Sequence, residues 1–360
     1  MEKIYMAALS MVPGIGTAKL KKLVAYFGSA EQVWRANNQD LILSGQLDES
    51  LSGQIISLRR SIDILKLADK WQREGIKICS LTDDDYPGLL RQIFDPPLQF
   101  YYRGNLPLTD NLLAIVGSRQ ATAYGKNAAS MLAAGLAAAG VWIVSGAARG
   151  IDSAAHTGAL GKGNTIAVLG CGVDVVYPPE NRKLLAQIAE QGAVISEYAP
   201  GTLPYPAYFP ARNRIISGLS RGTVIVEAAA KSGALITADC ALNEGRDVFA
   251  VPGSIFSSAS KGVHNLIKQG ARLVDSVDEI LEEYQLTAKP DGQIPELAAG
   301  ETAVLKAISY EQGIGVEDIV NKTQLTPAEV SYIILQLELR GLLAELEGRR
   351  YIRVAKGVIG

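Results

Sequence analysis

Short apolar runs recur through the middle of the chain, and helical stretches separate them. Six such runs predict six strands, within residues 112–119, 141–146, 165–172, 193–197, 223–227 and 247–253. The runs are continuous and rich in Val and Ile, which indicates a parallel sheet that helices cover on both faces. In such a sheet, ligand-binding loops and helix N-termini converge at the carboxyl ends of the strands. The pattern therefore predicts an α/β core with a binding site at one edge of its sheet.

The chain before this core has a helical character. Residues 9–16 (LSMVPGIG), followed by Lys19, Lys21 and Lys22, resemble the turn of a helix-hairpin-helix, whose backbone amides can approach a DNA phosphate. The same segment fits a small helical bundle, and such turns also serve as scaffolding. DNA contact and a purely structural role both stay open for this region. Residues 100–102 (FYY) predict a short strand ahead of the core.

A linker and a third domain follow the core. Residues 286–295 contain one glycine and two prolines, a composition typical of linkers. Three helical patterns and two strands come next, in the order of a winged helix, and Thr326 begins a predicted capping box on the third helix. That helix carries two glutamates, which favours a protein-contact or scaffolding role over DNA reading. Arg349, Arg350 and Arg353 in the wing leave DNA contact open.

These patterns give the expected domain organisation. An extended Rossmann-like core with a parallel sheet stands between two smaller domains, of which the first is SAM-like or helix-hairpin-helix-like. The predicted boundaries are an N-terminal helical domain at 1–80, the core at 81–285, a linker at 286–298 and a winged helix at 299–355.

Composition and charge narrow the classes of function. The chain has 35 basic and 37 acidic residues, but residues 111–275 carry 14 basic and 10 acidic ones, so a nucleic-acid site would be a local groove in the core. The three cysteines are far apart, and we expect neither a disulfide nor a metal site. The uncharged stretch 127–148 is long enough to suggest a membrane span, yet its Gly and Ala content predicts a buried helix and strand. The N-terminal residues lack the pattern of a signal peptide, so a cytoplasmic protein is expected.

The predicted edge of the sheet collects the chemistry of a phosphate site. Arg119 follows a Gly-Ser turn, and Arg212 and Arg214 flank Asn213 at a helix start. Guanidinium forks and helix-start amides suit phosphate oxygens, and none of these groups reads base edges, so binding would be largely independent of sequence. The candidate DNA-binding residues are Gly117, Ser118, Arg119, Ser145, Gly146, Arg149, Lys162, Arg212, Asn213, Arg214, Ser232, Gly233 and Thr237.

Structural roles compete with this interpretation at several positions. Some of the arginines could pair with Glu197, Glu227 or Asp152 inside the fold, and Lys162 could be a solvated surface lysine. Tyr177 and Phe209 could stack on bases, although partly buried packing is the commoner role of such rings.

Two classes of enzyme are alternatives to a binding protein. Ser145, Asp152 and His156 contain the residue types of a catalytic triad, but the last two lie four residues apart at one helix start, and no nucleophile elbow is present. A nucleotide-binding sensor or nucleoside-monophosphate hydrolase is the main alternative. Residues 221–227 keep the Gly-Thr and glutamate of such hydrolases but lack their double-glycine loop, and Glu227 is expected to organise Arg212 or Arg214. We predict a protein that is not an enzyme and that needs no cofactor.

The order of these motifs resembles the DprA/Smf family of bacterial DNA-processing proteins. The resemblance covers roughly residues 80–285 and rests on 117–119, 145–152, 167–170, 177–181, 209–220, 232–237 and 246–253. It implies binding of single-stranded DNA, protection of the strand and its handover to a RecA-type recombinase during DNA uptake (natural transformation) and recombination. It also implies a homodimer formed through the core, for which His264 and Ile267 are the interface candidates.

Overall fold

The computed structural model describes residues 1–287, 297–310, 312–346 and 348–354. Within the first 76 residues the chain forms a helical bundle around its own apolar core, which includes Leu9, Leu23, Leu41 and Ile55. Side-chain oxygens of Ser29, Asn37, Asp48 and Asp63 cap four of the helices. The helices are α1 (Glu2–Ser10), α2 (Thr17–Phe27), α3 (Ala30–Arg35), α4 (Asn38–Leu43), α5 (Glu49–Ser61) and α6 (Ile64–Arg73).

A nine-stranded sheet in the described residues forms the centre of the molecule. Its order is β1-β2-β6-β5-β4-β3-β7-β8-β9; β1 and β2 pair antiparallel, and the strands from β6 to β9 in this order run parallel. The elements are β1 (Lys77–Ser80), α7 (Gly88–Arg91), β2 (Gln99–Gly104), β3 (Leu112–Val116), α8 (Ala123–Ala138), β4 (Trp142–Ser145), α9 (Ile151–Ala159), β5 (Thr165–Val168), α10 (Arg182–Gln191), β6 (Ala193–Ser196), α11 (Tyr208–Gly218), β7 (Gly222–Ile225), α12 (Gly233–Asn243), β8 (Asp247–Ala250), α13 (Lys261–Lys268), β9 (Arg272–Leu273) and α14 (Val277–Glu283).

The strand order reverses between β3 and β7, which lie side by side in parallel register. From β3 the chain steps outward through β4, β5 and β6, and it then returns to β7 on the other side of β3. Such a reversal opens a crevice at the carboxyl ends of the two strands, where open α/β sheets bind their ligands.

Burial on both faces explains the continuous apolar runs. Leu112, Ala114 and Val116 of β3 pack into one core layer, and Leu113 and Ile115 pack into the layer on the opposite face. All five are buried. The six predicted strands and the short strand at 100–102 are thus confirmed, as is the α/β architecture with its helical N-terminal part. The stretch 127–148 is the buried helix α8 followed by β4, and no helix in the described part of the chain is long and apolar enough to span a membrane.

The C-terminal part is a winged helix with its own apolar core. Its elements are α15 (Ala299–Ala307), β10 (Ile314–Gly315), α16 (Val316–Thr323), α17 (Pro327–Leu339), β11 (Leu343–Leu346) and β12 (Arg350–Arg353), with strand order β10-β12-β11. The predicted capping box is present, because the Thr326 hydroxyl accepts from the Glu329 amide at 3.3 Å and the Glu329 carboxylate accepts from the Thr326 amide at 2.8 Å. Most of the predicted linker, Glu347 in the wing turn and the boundary at residue 355 lie outside the described residues.

Two of the three wing arginines are engaged inside the fold. Arg350 donates to the carbonyl of Gly313, and the Arg353 guanidinium lies 4.7 Å from the centroid of the Tyr310 ring. The exposed face of α17 carries Tyr332, Leu335 and Leu339. An apolar helix face and occupied wing cations agree with the prediction that this domain does not read DNA bases, which stays a prediction.

Candidate nucleic-acid interface

A cleft of about 690 Å³ opens at the carboxyl ends of β3 and β7. Its walls come from the loop after β3, the start of α9, the first turns of α11, and the loop and first turn of α12. The predicted residues that line it are Gly117, Ser118, Arg119, Arg212, Asn213, Ser232, Gly233 and Thr237. The fold therefore brings together eight candidates from three separate segments of the chain, at the edge of the sheet where the sequence predicts a site.

Arg119 is an exposed cation of this cleft. Its guanidinium carbon lies 5.2 Å from the centroid of the Phe209 ring, and the Phe209 and Tyr177 ring centroids are 5.4 Å apart. A smaller cleft of about 270 Å³ adjoins the first and shares Arg119, Tyr177 and Phe209 with it. Arg119 has no described carboxylate within ion-pair distance. A cation that stacks on an aromatic ring is held in place and keeps its charge. Arg119 therefore presents a fixed positive charge to both clefts.

The loop after β3 fixes the position of Arg119. A Cβ atom at Gly117 would lie 2.6 Å from Cγ1 of Ile151 and 2.9 Å from the carbonyl oxygen of Glu227, so only glycine fits there. The Ser118 amide donates to that same carbonyl at 2.7 Å, and the Gln120 amide donates to the Ser118 hydroxyl at 3.1 Å. The Ser118 amide is therefore not free to bind a phosphate, because it anchors this loop to the segment that follows β7.

Arg212 forms the floor of the cleft. Its Nη1 donates to the carbonyl oxygen of Gly146 at 2.8 Å and to that of Val168. The side chain is buried, and burial lowers the pKa of its guanidinium to about 10, against the opposing effect of Asp152. Burial also raises the pKa of Asp152, and Arg212 counteracts that shift. Gly146 leaves the room for both groups, since a Cβ atom there would lie 2.6 Å from each. Arg212 thus supplies a fixed positive charge rather than an extended arm.

The first turn of α12 lines the same cleft as Arg119. Ser232 caps the helix by accepting from the Ala234 amide at 3.3 Å, and Gly233 leaves the helix start open to solvent. Lys231, which comes directly before the cap, is exposed and lines the cleft. It has no ion-pair partner among the described side chains. Sequence reasoning missed Lys231, although a lysine directly before a Ser-Gly helix start could have indicated it.

Five predicted residues do not line the main cleft. Arg214 donates through Nη2 to both carboxylate oxygens of Glu197 at 2.7 Å, and Thr17 of α2 donates to Oε1 of the same glutamate at 3.1 Å. Arg214 therefore ties the core to the N-terminal helices, as one of the structural alternatives held. Arg149 lines the smaller cleft but pairs with Glu180.

The other three occupy buried or distant positions. Ser145 is buried and donates to the carbonyl of Ile115 at 2.6 Å, which fixes β4 against β3. Gly146 makes room for Arg212 and lines only the smaller cleft. Lys162 precedes β5, so it lies at the amino-terminal edge of the sheet, opposite the cleft.

Glu227 has a different partner from the one expected. Its carboxylate accepts from the Thr122 amide at 2.9 Å and from the Thr122 hydroxyl at 2.5 Å. It therefore stabilises the N-terminus of α8, where a negative charge is favourable, and it does not organise Arg212 or Arg214. Glu227 is buried and does not line the cleft, so the glutamate that the hydrolase alternative requires is not directed at a ligand there.

The residues of the possible catalytic triad form hydrogen bonds with different partners and not with one another in the order that a triad requires. Nδ1 of His156 lies 2.7 Å from the Thr165 hydroxyl, while Ser145 bonds to a carbonyl. His156 is fully buried, and burial lowers its pKa to about 3, so the ring is neutral. Ser145, Asp152 and His156 do not form a triad.

The other predictions concern a metal and a dimer. Among the described residues, Cys79, Asp83 and Asp85 are close enough to share an ion, but Lys3 pairs with Asp83, and burial raises the pKa of the Cys79 thiol to about 12. On α13, His264 Nε2 lies 3.0 Å from the Gly253 carbonyl oxygen, and Ile267 packs partly buried against the core. Their place in a dimer interface stays a prediction.

Comparison with known proteins identifies relatives along the whole chain. The family model for DNA recombination-mediator protein A matches residues 77–285, and that for the DprA winged helix domain matches residues 288–349. Protein Smf from Synechocystis is 34% identical, covering 98% of this chain and 99% of its own length. DNA processing protein DprA from Streptococcus pneumoniae is 48% identical over 57% of this chain and 73% of its own length.

Two of the solved structures that match this chain are of DNA processing protein A. The X-ray structure of DNA processing protein A from Streptococcus pneumoniae has a TM-score of 0.66 and 38% identity, covering 78% of this chain and 97% of that one. The structure of the Helicobacter pylori protein has a TM-score of 0.53 and 30% identity, covering 58% of this chain and 95% of that one. That structure concerns the single-stranded DNA binding mode of the Helicobacter pylori protein.

Proposed function

The chain belongs to the DNA recombination-mediator protein A (DprA/Smf) family, and from this we propose that its cleft holds the backbone of single-stranded DNA largely independently of sequence. We further propose that the protein protects the strand and loads a RecA-type recombinase on it, during DNA uptake and recombination. It would do so as a homodimer formed through the core, without catalysing a reaction.

The observation that carries the proposal is the placement of Arg119. Its guanidinium lies against the Phe209 ring, and Lys231 and the open start of α12 line the same cleft. Cations and helix-start amides bind phosphate oxygens, while an aromatic ring can stack on any base. The cleft lining holds three cations, Arg119, Arg212 and Lys231, against the single carboxylate of Asp152. An excess of positive charge in a groove favours a polyanion, and contacts to its backbone carry no sequence information.

Fluorescence anisotropy of a labelled oligo-dT tests the DNA-binding part. We expect binding that weakens as salt rises, with a log–log slope of about −0.7 for each phosphate that the protein neutralises. Arg119→Ala should weaken binding at least about tenfold, because a hydrogen bond to a charged group contributes about 1.5–3 kcal/mol. Arg60→Ala is the matched control, since Arg60 is an exposed arginine of α5 outside the cleft lining.

Competitors separate this proposal from the nucleotide-binding alternative. Unlabelled single strands of any composition should displace the oligo-dT, and duplex DNA should compete poorly. Displacement or turnover of a nucleoside monophosphate, with little binding of the single strand, would contradict the proposal and favour a sensor or hydrolase.

Recombinase loading and dimerisation need tests of their own. RecA filament assembly on strands covered by single-strand-binding protein should accelerate when this protein is added, and Arg119→Ala should abolish the acceleration. Ile267→Glu places a charge on the predicted dimer surface, so sedimentation should show a smaller species than for the wild type. An unchanged sedimentation mass for both Ile267→Glu and His264→Glu would remove α13 from the interface.

A further inference from the structure

Beside the cleft, the loop 197–207 and the start of α11 present a group of three tyrosines. The Tyr198 and Tyr208 rings are stacked, with centroids 4.1 Å apart and 25° between their planes. Tyr205 meets Tyr208 edge-on, with centroids 5.5 Å apart and 64° between the planes. Tyr198 and Tyr208 are partly buried, whereas Tyr205 is 60% exposed and its neighbour Leu203 is 74% exposed. We call Tyr198, Tyr205 and Tyr208 the tyrosine platform.

The outermost ring is held in place by its surroundings. Pro204 and Pro206 flank Tyr205 and restrict the backbone on both sides of it. The Tyr205 carbonyl accepts from the Tyr208 amide at 2.9 Å, and the Thr202 carbonyl accepts from the Gly172 amide at 2.9 Å. A large ring that is exposed and also fixed loses little conformational entropy when a ligand covers it. The platform is therefore preorganised for contact.

The platform continues the wall of the cleft. Pro206 and Phe209 line the cleft, and they lie on either side of Tyr208 in the chain. Tyr208 and Arg212 are one helical turn apart on α11, so they lie on neighbouring positions of one helix face. A strand that held its phosphates beside Arg119 and Arg212 and left the cleft past Pro206 would bring its next nucleotides to the exposed Tyr205. Single exposed aromatic residues are common on protein surfaces and do not indicate a ligand. The tyrosine platform differs from them because it continues the wall of the cleft.

This inference rests on the proposed function of the cleft. We propose that Tyr205, supported by the stacked Tyr208 and Tyr198 rings, holds by stacking a nucleobase of the single strand just outside the cleft. The platform adds a binding subsite that the phosphate-holding residues do not supply. Because every base has a flat π face, this subsite tolerates any sequence and extends the length of strand that one protomer holds.

A length series of oligo-dT from about 3 to about 15 nucleotides tests the subsite. The shortest strand that the wild type binds measurably defines occupancy of the cleft alone. Tyr205→Ala should leave the affinity for this strand unchanged and weaken binding of the longer strands about 5- to 150-fold, the range that one base–aromatic stack covers. Tyr205→Phe keeps the ring and should restore the affinity. Tyr26→Ala is the matched control, because Tyr26 is 59% exposed and belongs to α2.

The outcomes separate the two proposals. If Tyr205→Ala binds every length as the wild type does, the platform holds no base, while the cleft proposal stands on its Arg119 dependence. An equal loss for short and long strands also overturns the platform, because Tyr205 then acts on the cleft itself. If the wild type binds no single strand, both proposals fail together. A 5-iodouracil placed outside the cleft should cross-link to Tyr205 in the folded wild type, and a cross-link confined to other residues would overturn the assignment.

Discussion

The ion pair between Arg214 and Glu197 offers a sharp test of how the site was assigned, because the sequence places Arg214 among the DNA-binding residues. Arg214→Met keeps most of the length of the side chain and removes its charge. The variant loses two charge-assisted hydrogen bonds of 2.7 Å and leaves Glu197 without its cation. Both side chains are more than four-fifths buried, at 19% and 17% exposure. Removing one partner of a buried pair costs about 3–5 kcal/mol, and the residual exposure places our expectation at about 2–4 kcal/mol.

Urea unfolding measures this loss, and oligo-dT anisotropy measures any effect on binding. The folded Arg214→Met variant should bind oligo-dT nearly as well as the wild type, because Arg214 does not line the cleft. Adding Glu197→Gln to Arg214→Met removes the unpaired carboxylate and should recover about 1–2 kcal/mol. Arg214 is not a structural residue if Arg214→Met keeps its stability and loses as much DNA affinity as Arg119→Ala. In that case Arg214 contacts the strand, and its pairing with Glu197 is a resting state of the side chain.

Two further predictions concern residues near the site. His156 has a folded-state pKa of about 3, lowered by burial, so below pH about 6.5 the unfolded chain binds a proton that the folded protein does not. As the pH is lowered from about 6 to about 4, the unfolding free energy should therefore fall by up to about 1.4 kcal/mol per pH unit. Urea titrations of the wild type and of His156→Asn at each pH measure this effect, because the difference between the two proteins isolates the contribution of His156. Glu227→Ala should destabilise the protein by about 3–5 kcal/mol, because it removes two charge-assisted bonds to Thr122. Glu227→Gln should cost about 1–2 kcal/mol, because its amide oxygen can still accept from the Thr122 amide and its NH2 group can donate to the Thr122 hydroxyl. A melting temperature equal to that of the wild type for Glu227→Ala would contradict this structural role.

The architecture could be predicted from the sequence because its cause is local. Each central strand is buried on both faces, so the chain must use continuous apolar runs such as 112–116, and the helices between them follow from the parallel order. The capping box at Thr326 is likewise contained in four residues. The short strands β1 and β9 left little signal, since Lys77, Arg272 and Leu273 are exposed edge positions.

The role of each arginine could not be predicted, because its partner is fixed by the fold and not by its neighbours in sequence. Arg212 and Arg214 are two residues apart, yet one lies in the floor of the cleft and the other in the junction with α2. A difference of two positions turns a side chain by roughly 200° around a helix, which separates the two groups completely. The prediction for Lys162 places it at the wrong edge of the sheet. It lies in the turn before β5, and a turn before a parallel strand is at the amino-terminal edge of the sheet, whereas the cleft is at the carboxyl-terminal edge.

The cleft lies where β3 and β7 pair, and two of its lining cations, Arg119 and Lys231, lie about 110 residues apart in the chain. A chain that emerges during synthesis contains Arg119, β4, β5 and β6 long before β7 exists. It therefore possesses most of its sheet but has no site until β7 pairs with β3 and brings α12 into place. Contacts of such long sequence separation form late in folding. Under the proposed function, the ability to bind a DNA strand would therefore depend on a completed core, and unfinished or truncated chains would not bind it.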